Sequence, residues 1–398
     1  MSKITKTLLV TAKEDLLKVI DKMDSLLGNI RNEIITNQQL IESNSVATKQ
    51  ELYIESEKIK KELDDYKVGN NRLKWMSASG TVTNTTTVSD EILTHLAYQG
   101  VDLALIVMVN INSKTDSVPV KMADSRVINA IVRAREFGVK VNMLKPHLGI
   151  NWSDGTERYN LTPSDMDTMM NKWKDIVVSY AGICNSYNIP VLCIGCEQRG
   201  MTKPEYKHYW EDIVSECKGL YPDLLLTYAC DSVEGVQYNT SCIFGLVDFI
   251  GLNLYPQWYK EVYKEGLTYK DIMPSAYSSY APTGKGFKLI DRIKYLYTTY
   301  KKPVYITEIG VMPYADGLVN LKSEFAYDES ASRDYRVSAI CYESIFNTLA
   351  KSPYVIGLSL WHTKHPFCYF DYTDASTGTS DAEEIVKQYV EGGDLVER

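Results

Sequence analysis

The feature that most constrains the fold is an alternation of apolar strand-like segments with amphipathic helix-like segments from about residue 73 onward. The candidate strands are 73–79, 101–111, 139–149, 190–197, 224–231, 247–255, 303–309 and 355–362. The candidate helices are 89–99, 123–137, 163–187, 204–220, 287–300, 330–350 and 381–391. Strands that are apolar nearly throughout, each followed by a helix or a long loop, are typical of a parallel sheet covered on its outer face.

Eight such units within residues 73–398 predict an α/β fold, specifically a (β/α)8 TIM barrel. A doubly wound parallel sheet is the alternative. It is less favoured because no glycine-rich phosphate-binding loop follows the first strand.

The first 72 residues follow a different pattern and contain no proline and no tryptophan. A spacing of alternating four and three residues is occupied by apolar residues except at Lys13 and Asn37. The apolar positions are Leu9, Leu16, Ile20, Met23, Leu27, Ile30, Ile34 and Ile41. This heptad spacing predicts a coiled coil through which copies of the chain associate. A single amphipathic helix that packs on the main domain is the alternative. We therefore predict a helical oligomerisation segment at 1–72 and a barrel domain at 73–398.

Composition and charge argue against several classes of protein. Hydrophobic residues make up 44% of the chain and charged residues 24%, which is typical of a globular protein. The net charge is −8 and no run is rich in Lys and Arg, so nucleic-acid binding is not expected. No apolar run reaches the roughly 18 to 20 residues of a membrane span. The apolar island near the start is too short for a secretory signal, so we expect synthesis in a cytoplasm and exit without a classical signal.

Polar and aromatic residues gather where the candidate strands end, which is where a TIM barrel carries its active site. The fourth strand ends in Glu197 and the seventh in Glu308. The other strand ends carry Lys145 and His147 (third), Asp231 (fifth), Asn253 and Tyr255 (sixth), and Trp361 and His362 (eighth). A buried carboxylate is costly unless it is paired or neutralised, so two glutamates on one rim indicate a working pair.

Strand alternation predicts that both glutamates point to the barrel axis. On this reading each continues an inward-facing row, formed by Val191, Cys193 and Gly195 in one strand and by Val304 and Ile306 in the other. Two carboxyl groups that face one sugar bond can hydrolyse it, with one acting as the proton donor and the other as the nucleophile.

These strand ends resemble those of clan A glycoside hydrolases, which are retaining (β/α)8 enzymes. Within the clan, the stretches LKPHLGINW, VLCIGCE, VDFIGLNLY and VYITEIGV are most similar to glycoside hydrolase family 113, whose known members are β-mannanases. The resemblance covers roughly residues 73–390. It implies that Glu197 is the acid/base, Glu308 the nucleophile, Tyr255 a hydrogen-bond partner of the nucleophile, and Trp361 the platform beneath the sugar. The clan often has Asn directly before the acid/base, whereas this chain has Cys196.

Further candidate substrate-binding residues lie beside these positions. Lys145 and His147 are placed to bind sugar hydroxyls, although a purely structural histidine is an equally good interpretation. Asn253 is expected to face the mouth together with Tyr255. The loop after the third strand offers Trp152, Asp154 and Arg158, and a mobile surface loop is its alternative. Trp258, in the long segment 256–286, is predicted to extend the sugar-binding groove.

Two motifs that suggest metal binding are not favoured. Cys193 and Cys196 form a C-x-x-C, but residues three apart on a strand should point to opposite faces. His362 and His365 lack a glutamate at metalloprotease spacing. No G-x-S-x-G or P-loop motif occurs. We therefore expect no metal and no cofactor. The eight cysteines, scattered without regular spacing, are expected to be reduced.

The sequence thus predicts a retaining glycosidase that acts on a β-linked polysaccharide, mannan-like by resemblance. The predicted coiled coil makes a homo-oligomer the expected state and suggests assembly into a larger particle such as a phage tail. The alternative function is a carbohydrate-binding or structural module that keeps the barrel without catalysis.

Overall fold

The structure is a computed structural model that describes residues 30, 73–155, 157–231, 241–272, 289–319 and 332–392. Internal contacts divide the chain into two units, residues 1–70 and 71–398, and the second unit is the one described below. The predicted coiled coil lies outside the described residues except for Ile30, which is helical and exposed. The coiled coil, the oligomer and the domain boundary at 72 therefore stay predictions.

The described part of the second unit alternates strands and helices along the chain. The strands are β1 (Trp75–Val82), β2 (Asp102–Ile111), β3 (Val120–Lys121), β4 (Val141–Ile150), β5 (Val191–Cys196), β6 (Leu225–Cys230), β7 (Phe249–Leu254), β8 (Val304–Ile309) and β9 (Val355–Leu360). The helices are α1 (Asp90–Gln99), α2 (Asp124–Glu136), α3 (Met166–Ser186), α4 (Lys207–Leu220), α5 (Leu289–Tyr300), α6 (Tyr335–Asn347) and α7 (Asp381–Glu391).

Eight of these strands form a closed parallel barrel, in the order β1-β9-β8-β7-β6-β5-β4-β2, with β1 pairing β2 to complete the ring. The predicted (β/α)8 barrel is confirmed. The two-residue strand β3, which pairs antiparallel with β2, was not predicted. No described helix is long and apolar enough to cross a membrane.

Two helices begin later than predicted. The helix predicted from residue 163 begins at Met166, because the Asp165 carboxylate accepts a hydrogen bond from the Thr168 amide at 3.0 Å. The helix predicted from residue 204 opens as a 3-10 turn at Pro204, and α4 follows from Lys207.

The core has two layers separated by the barrel wall. The outer layer joins the strands to the helices, and the inner layer fills the barrel lumen. The inner layer consists of Trp75, Ala104, Met143, Val191, Cys193, Cys196, Ala229, Phe249 and Tyr305. Trp75 packs edge-on against Phe249 with ring centroids 5.2 Å apart. A lumen filled in this way is a packed core, so the chemistry belongs at the mouth.

Candidate active site

A β-bulge in β5 determines where Glu197 points. Cys193 pairs with Thr227 and Cys196 with Ala229, so β5 has one residue more than β6 over this stretch. An extra residue reverses the inside–outside phase of a strand. Cys196 accordingly lies in the lumen, and Glu197 follows it in a left-handed conformation with φ of 54°.

The predicted inward row through Gly195 was therefore wrong. A Cβ atom at Gly195 would meet the ring of Trp210 on α4 at 3.1 Å, so Gly195 faces the helix layer. Val191 and Cys193 do line the lumen, as predicted. Because of the same bulge, Cys193 and Cys196 both belong to the inner layer. The prediction that they point to opposite faces was therefore wrong.

A second bulge, in β8, orients Glu308. Leu252 pairs with Ile306 and Asn253 with Glu308, so one extra residue lies in β8. Val304 and Ile306 pack in the outer layer, which contradicts the predicted inward row on this strand. The bulge restores the inward direction at Glu308, because it shifts the alternation by one residue.

Glu308 is 3% exposed and is held by partners from β4, from β5 and from the residue that follows β7. The ammonium group of Lys145 contacts its Oε1 atom. Tyr255 donates a hydrogen bond from Oη to Oε2 at 2.5 Å, and the Cys196 thiol approaches Oε1 at 3.8 Å. Burial is the largest single influence and opposes ionisation, but Lys145, His147 and Tyr255 together outweigh it, so the pKa of Glu308 lies below its ordinary value. Glu308 is therefore a carboxylate at neutral pH.

Glu197 holds its proton to a higher pH than Glu308 does. Burial, together with the negative charge of Glu308, raises the pKa of Glu197 to about 7. Its Oε1 atom accepts a hydrogen bond from Nδ2 of Asn253 at 2.9 Å. Asn253 is itself fixed, because its Oδ1 accepts from the Thr307 hydroxyl at 2.8 Å and from Lys145 at 3.4 Å. Below about pH 7 the two carboxyl groups at this rim thus differ in protonation, as acid–base chemistry requires.

His147 lies beside this pair and is oriented by a carboxylate. Its Nδ1 lies 2.7 Å from Oδ1 of Asp154, and the guanidinium of Arg158 contacts the same oxygen at 3.3 Å. Burial, with a contribution from Arg158, lowers the pKa of His147 to about 4, so the ring is neutral at neutral pH. Its Nδ1 then donates to Asp154, and its unprotonated Nε2 faces Oε1 of Glu308 at 3.8 Å.

A hydrogen-bonded chain supports Asp154 from the eighth barrel strand. The Lys364 amide donates to Nδ1 of His362 at 3.1 Å, so the ring proton is on Nε2, which donates to the Thr81 hydroxyl at 2.9 Å. Thr81 in turn donates to Oδ2 of Asp154 at 3.4 Å. Thr81 was missed because the first strand was predicted to end at 79, whereas β1 continues to Val82.

The remaining predicted sugar contacts fall into different environments. Trp361 directly follows β9 at the mouth but is only 7% exposed, with its ring stacked on that of His147 at a centroid distance of 6.0 Å. Arg158 is 5% exposed and supports Asp154 rather than facing an open cleft. Trp152 is partly buried against the outer core, and its amide bonds to Oδ1 of Asn110 at 2.9 Å.

Trp258 does not fit the predicted role in a sugar-binding groove. It is 2% exposed and belongs to the outer core, where its amide donates to the carbonyl of Leu318 at 2.9 Å. A sugar cannot stack on a ring that other side chains already cover. Residues 273–286 of the same segment lie outside the described residues.

One group of potential metal ligands occurs at the site among the described residues. The Nε2 atom of His147, the Sγ atom of Cys196 and a carboxylate oxygen of Glu308 lie within 4.8 Å of one another. Sequence spacing gave no sign of this group, because its members come from three different strands.

Comparisons with known proteins agree with the barrel fold. The sequence profile of Glycoside Hydrolase Family 113 matches residues 72–380. A solved structure described as a GH113 β-1,4-mannanase is 17% identical, with a TM-score of 0.59 over 80% of this chain and 99% of that chain. The GH113 β-mannanase AaManA from Alicyclobacillus acidocaldarius is also 17% identical, with a TM-score of 0.58 over 82% and 99% of the two chains. No curated protein matches the sequence.

Proposed function

Because the chain belongs to glycoside hydrolase family 113, we propose that it is a retaining glycosidase that cleaves a β-linked polysaccharide. The observation that carries the proposal is the convergence of two unlike carboxyl groups at one end of the barrel. Glu308 bonds to a cation and a phenol, whereas Glu197 bonds to a neutral amide. Such a difference in environment separates a nucleophile from a proton donor.

In the first step, Glu197 gives its proton to the glycosidic oxygen while the Glu308 carboxylate attacks the anomeric carbon. The bond to the leaving sugar breaks, and a covalent glycosyl-enzyme forms on Glu308. Glu197, now ionised, takes a proton from water, and the resulting nucleophile releases the sugar with its original anomeric configuration. Tyr255 stabilises the Glu308 carboxylate before attack and again when it leaves.

We propose a mannan-like polymer as the substrate. The support is membership of family 113 together with a barrel similar to those of two proteins named as mannanases. Cys196 replaces the Asn that the clan often carries before the acid/base, so other β-linked polymers belong in the same test. Association through residues 1–72, and carriage on a larger particle such as a phage tail, are proposals that rest on the heptad pattern alone.

The test is reducing-end release from a panel of β-mannans, β-glucans and bacterial surface polysaccharides. Glu197→Gln and Glu308→Gln should each abolish nearly all turnover, whereas the exposed control Glu205→Gln should keep it. Proton NMR of the first-formed product should show retention of configuration. Inversion would contradict the nucleophilic role of Glu308. Binding of a polymer by the parent protein without any turnover would favour the carbohydrate-binding module instead.

A further inference from the structure

We propose that His147, Cys196 and Glu308 form a binding site for a thiophilic divalent cation such as Zn²⁺, and that its occupancy switches the enzyme off. The inhibitory part of this proposal rests on the function proposed above, while the binding part does not. Imidazole, thiolate and carboxylate are the three types of side chain that bind zinc in proteins.

The three ligand atoms lie close enough together to converge on a single ion. Oε1 of Glu308 lies 3.8 Å from both Nε2 of His147 and Sγ of Cys196. Zinc bonds of about 2.0–2.3 Å in a tetrahedral arrangement put neighbouring ligand atoms about 3.3–3.6 Å apart. The two pairs that include Oε1 therefore need to close by only a few tenths of an ångström. The Nε2 and Sγ atoms lie within 4.8 Å of one another, so this third pair closes by up to about 1.3 Å when the ion binds.

His147 provides an independent indication that this spot accepts a ligand. Its Nε2 atom is fully buried and has no hydrogen-bond partner among the described residues. The other ring nitrogen is bonded to Oδ1 of Asp154 at 2.7 Å. A histidine that binds a metal usually donates its second N–H to a carboxylate in this way, which fixes the tautomer and directs the lone pair at the ion.

The charges at the site set the strength and the consequence of binding. The Cys196 thiol must release its proton to solvent, after which thiolate and carboxylate together offset the two charges of the ion. Lys145 opposes binding, because its ammonium group contacts the same carboxylate and must give up that contact. Binding should therefore be reversible and weaker than at a closed structural zinc site. An ion on Glu308 engages the proposed nucleophile, so turnover should stop.

The binding test uses Co²⁺ as a spectroscopic probe on the full-length protein, stripped of metal with a chelator and kept anaerobic. A thiolate-to-cobalt charge-transfer band should appear and saturate at one ion per chain, and Zn²⁺ should bleach it. Cys196→Ser and His147→Gln should each lose the band. Cys193→Ser is the matched control, because Cys193 also lies in the lumen but outside the ligand group, and it should keep the band.

Several outcomes would overturn the site: no band in the parent protein, a band that survives Cys196→Ser, or a band lost equally in Cys193→Ser. If the variants fail to fold, X-ray absorption spectroscopy of the zinc-loaded parent protein identifies the atoms that bind the ion. One sulfur ligand among nitrogen and oxygen ligands supports the site, and a sulfur-free shell refutes it.

The inhibition test measures hydrolysis with and without Zn²⁺. Activity should fall at stoichiometric occupancy, return with EDTA, and resist Zn²⁺ in Cys196→Ser relative to that variant's own metal-free rate. A cobalt band in a protein that hydrolyses no polysaccharide would leave the metal site standing and refute the hydrolase. Hydrolysis that is indifferent to Zn²⁺ at saturation would refute the switch alone.

Discussion

Asn253 bonds to Glu197 through its amide nitrogen at 2.9 Å while its amide oxygen is held by Thr307 at 2.8 Å. A flipped amide would turn its oxygen toward the Glu197 carboxyl group and its NH₂ group toward the Lys145 ammonium group, so these two neighbours fix its orientation. The proposed proton donor is thus positioned by a side chain from β7 that is itself fixed by β8. Lys145 contacts both Asn253 and Glu308, so one hydrogen-bonded network orients both carboxyl groups.

The pH dependence of kcat/KM should report the unlike states of the two glutamates. Turnover requires Glu197 protonated and Glu308 ionised. Activity should therefore fall as pH rises through about 7, where Glu197 loses its proton. It should also fall at acidic pH below the ordinary range of a glutamate, where Glu308 gains one. The measurement is a rate profile with chelator present; an alkaline limb near the unperturbed glutamate pKa of about 4.3 would contradict the assignment.

Removing the Asn253 amide should move the alkaline limb upward. The hydrogen bond from Asn253 favours the ionised form of Glu197, so Asn253→Ala should raise the pKa of the proton donor. The rate profile of the variant, compared with that of the parent protein, checks this. Thr307→Ser keeps a hydroxyl for the Asn253 oxygen and is the control, with an unshifted limb. A downward shift in Asn253→Ala would show that the amide does not act on Glu197 in this way.

Tyr255→Phe should slow the reaction without unfolding the protein. The lost hydrogen bond joins a phenol to the charged oxygen of Glu308 at 2.5 Å. Hydrogen bonds to charged groups contribute about 1.5–3 kcal/mol, which corresponds to roughly a 10- to 100-fold loss in kcat/KM. Steady-state kinetics and a thermal melt together test this prediction. The control is Tyr354→Phe, which removes a hydroxyl far from the mouth and should match the parent rate. Full activity in Tyr255→Phe would show that Tyr255 has no part in the mechanism.

Gly310→Ala should destabilise the barrel at the point where β8 meets the active-site tryptophan. A Cβ atom at Gly310 would overlap the carbonyl oxygen of Trp361, and backbone cannot move aside as a flexible side chain can. Overpacking of this kind costs about 1–3 kcal/mol or more. Gly219→Ala is the matched control, since a Cβ there meets nothing within 4 Å and alanine is the better helix former. Denaturant unfolding of both variants gives the comparison, and equal stability would contradict the prediction.

Sequence reasoning located the strand ends well because the fold depends on local patterns. Each predicted barrel strand overlaps an observed one. Glu197, Tyr255 and Glu308 each lie within one residue of the last residue of an observed strand, as predicted. Buried parallel strands are apolar along their whole length, so a polar residue marks the point where the strand leaves the core. That signal needs no knowledge of neighbouring strands.

Sequence reasoning failed where direction depends on pairing. Strict alternation put Gly195 and Ile306 inside the barrel, and both face outward. A bulge is defined by the partner strand, which has one residue fewer, and the partner's register is not visible in the bulged strand itself. The role of Trp258 was also not predictable from the sequence. A tryptophan in a long loop can either line a groove or pack in the core, and Trp258 packs in the core.

The sequence by itself determined the barrel and the set of polar groups at its mouth, because hydrophobic burial imposes strand and helix periods that can be read locally. Only the tertiary structure decided which of those groups touch. Two one-residue insertions turned Cys196 inward and aimed Glu308 at Lys145, His147 and Tyr255, through contacts between strands that are far apart along the chain. Register between strands is a collective property of the closed ring, so the chemistry of the site appears only once the ring is closed.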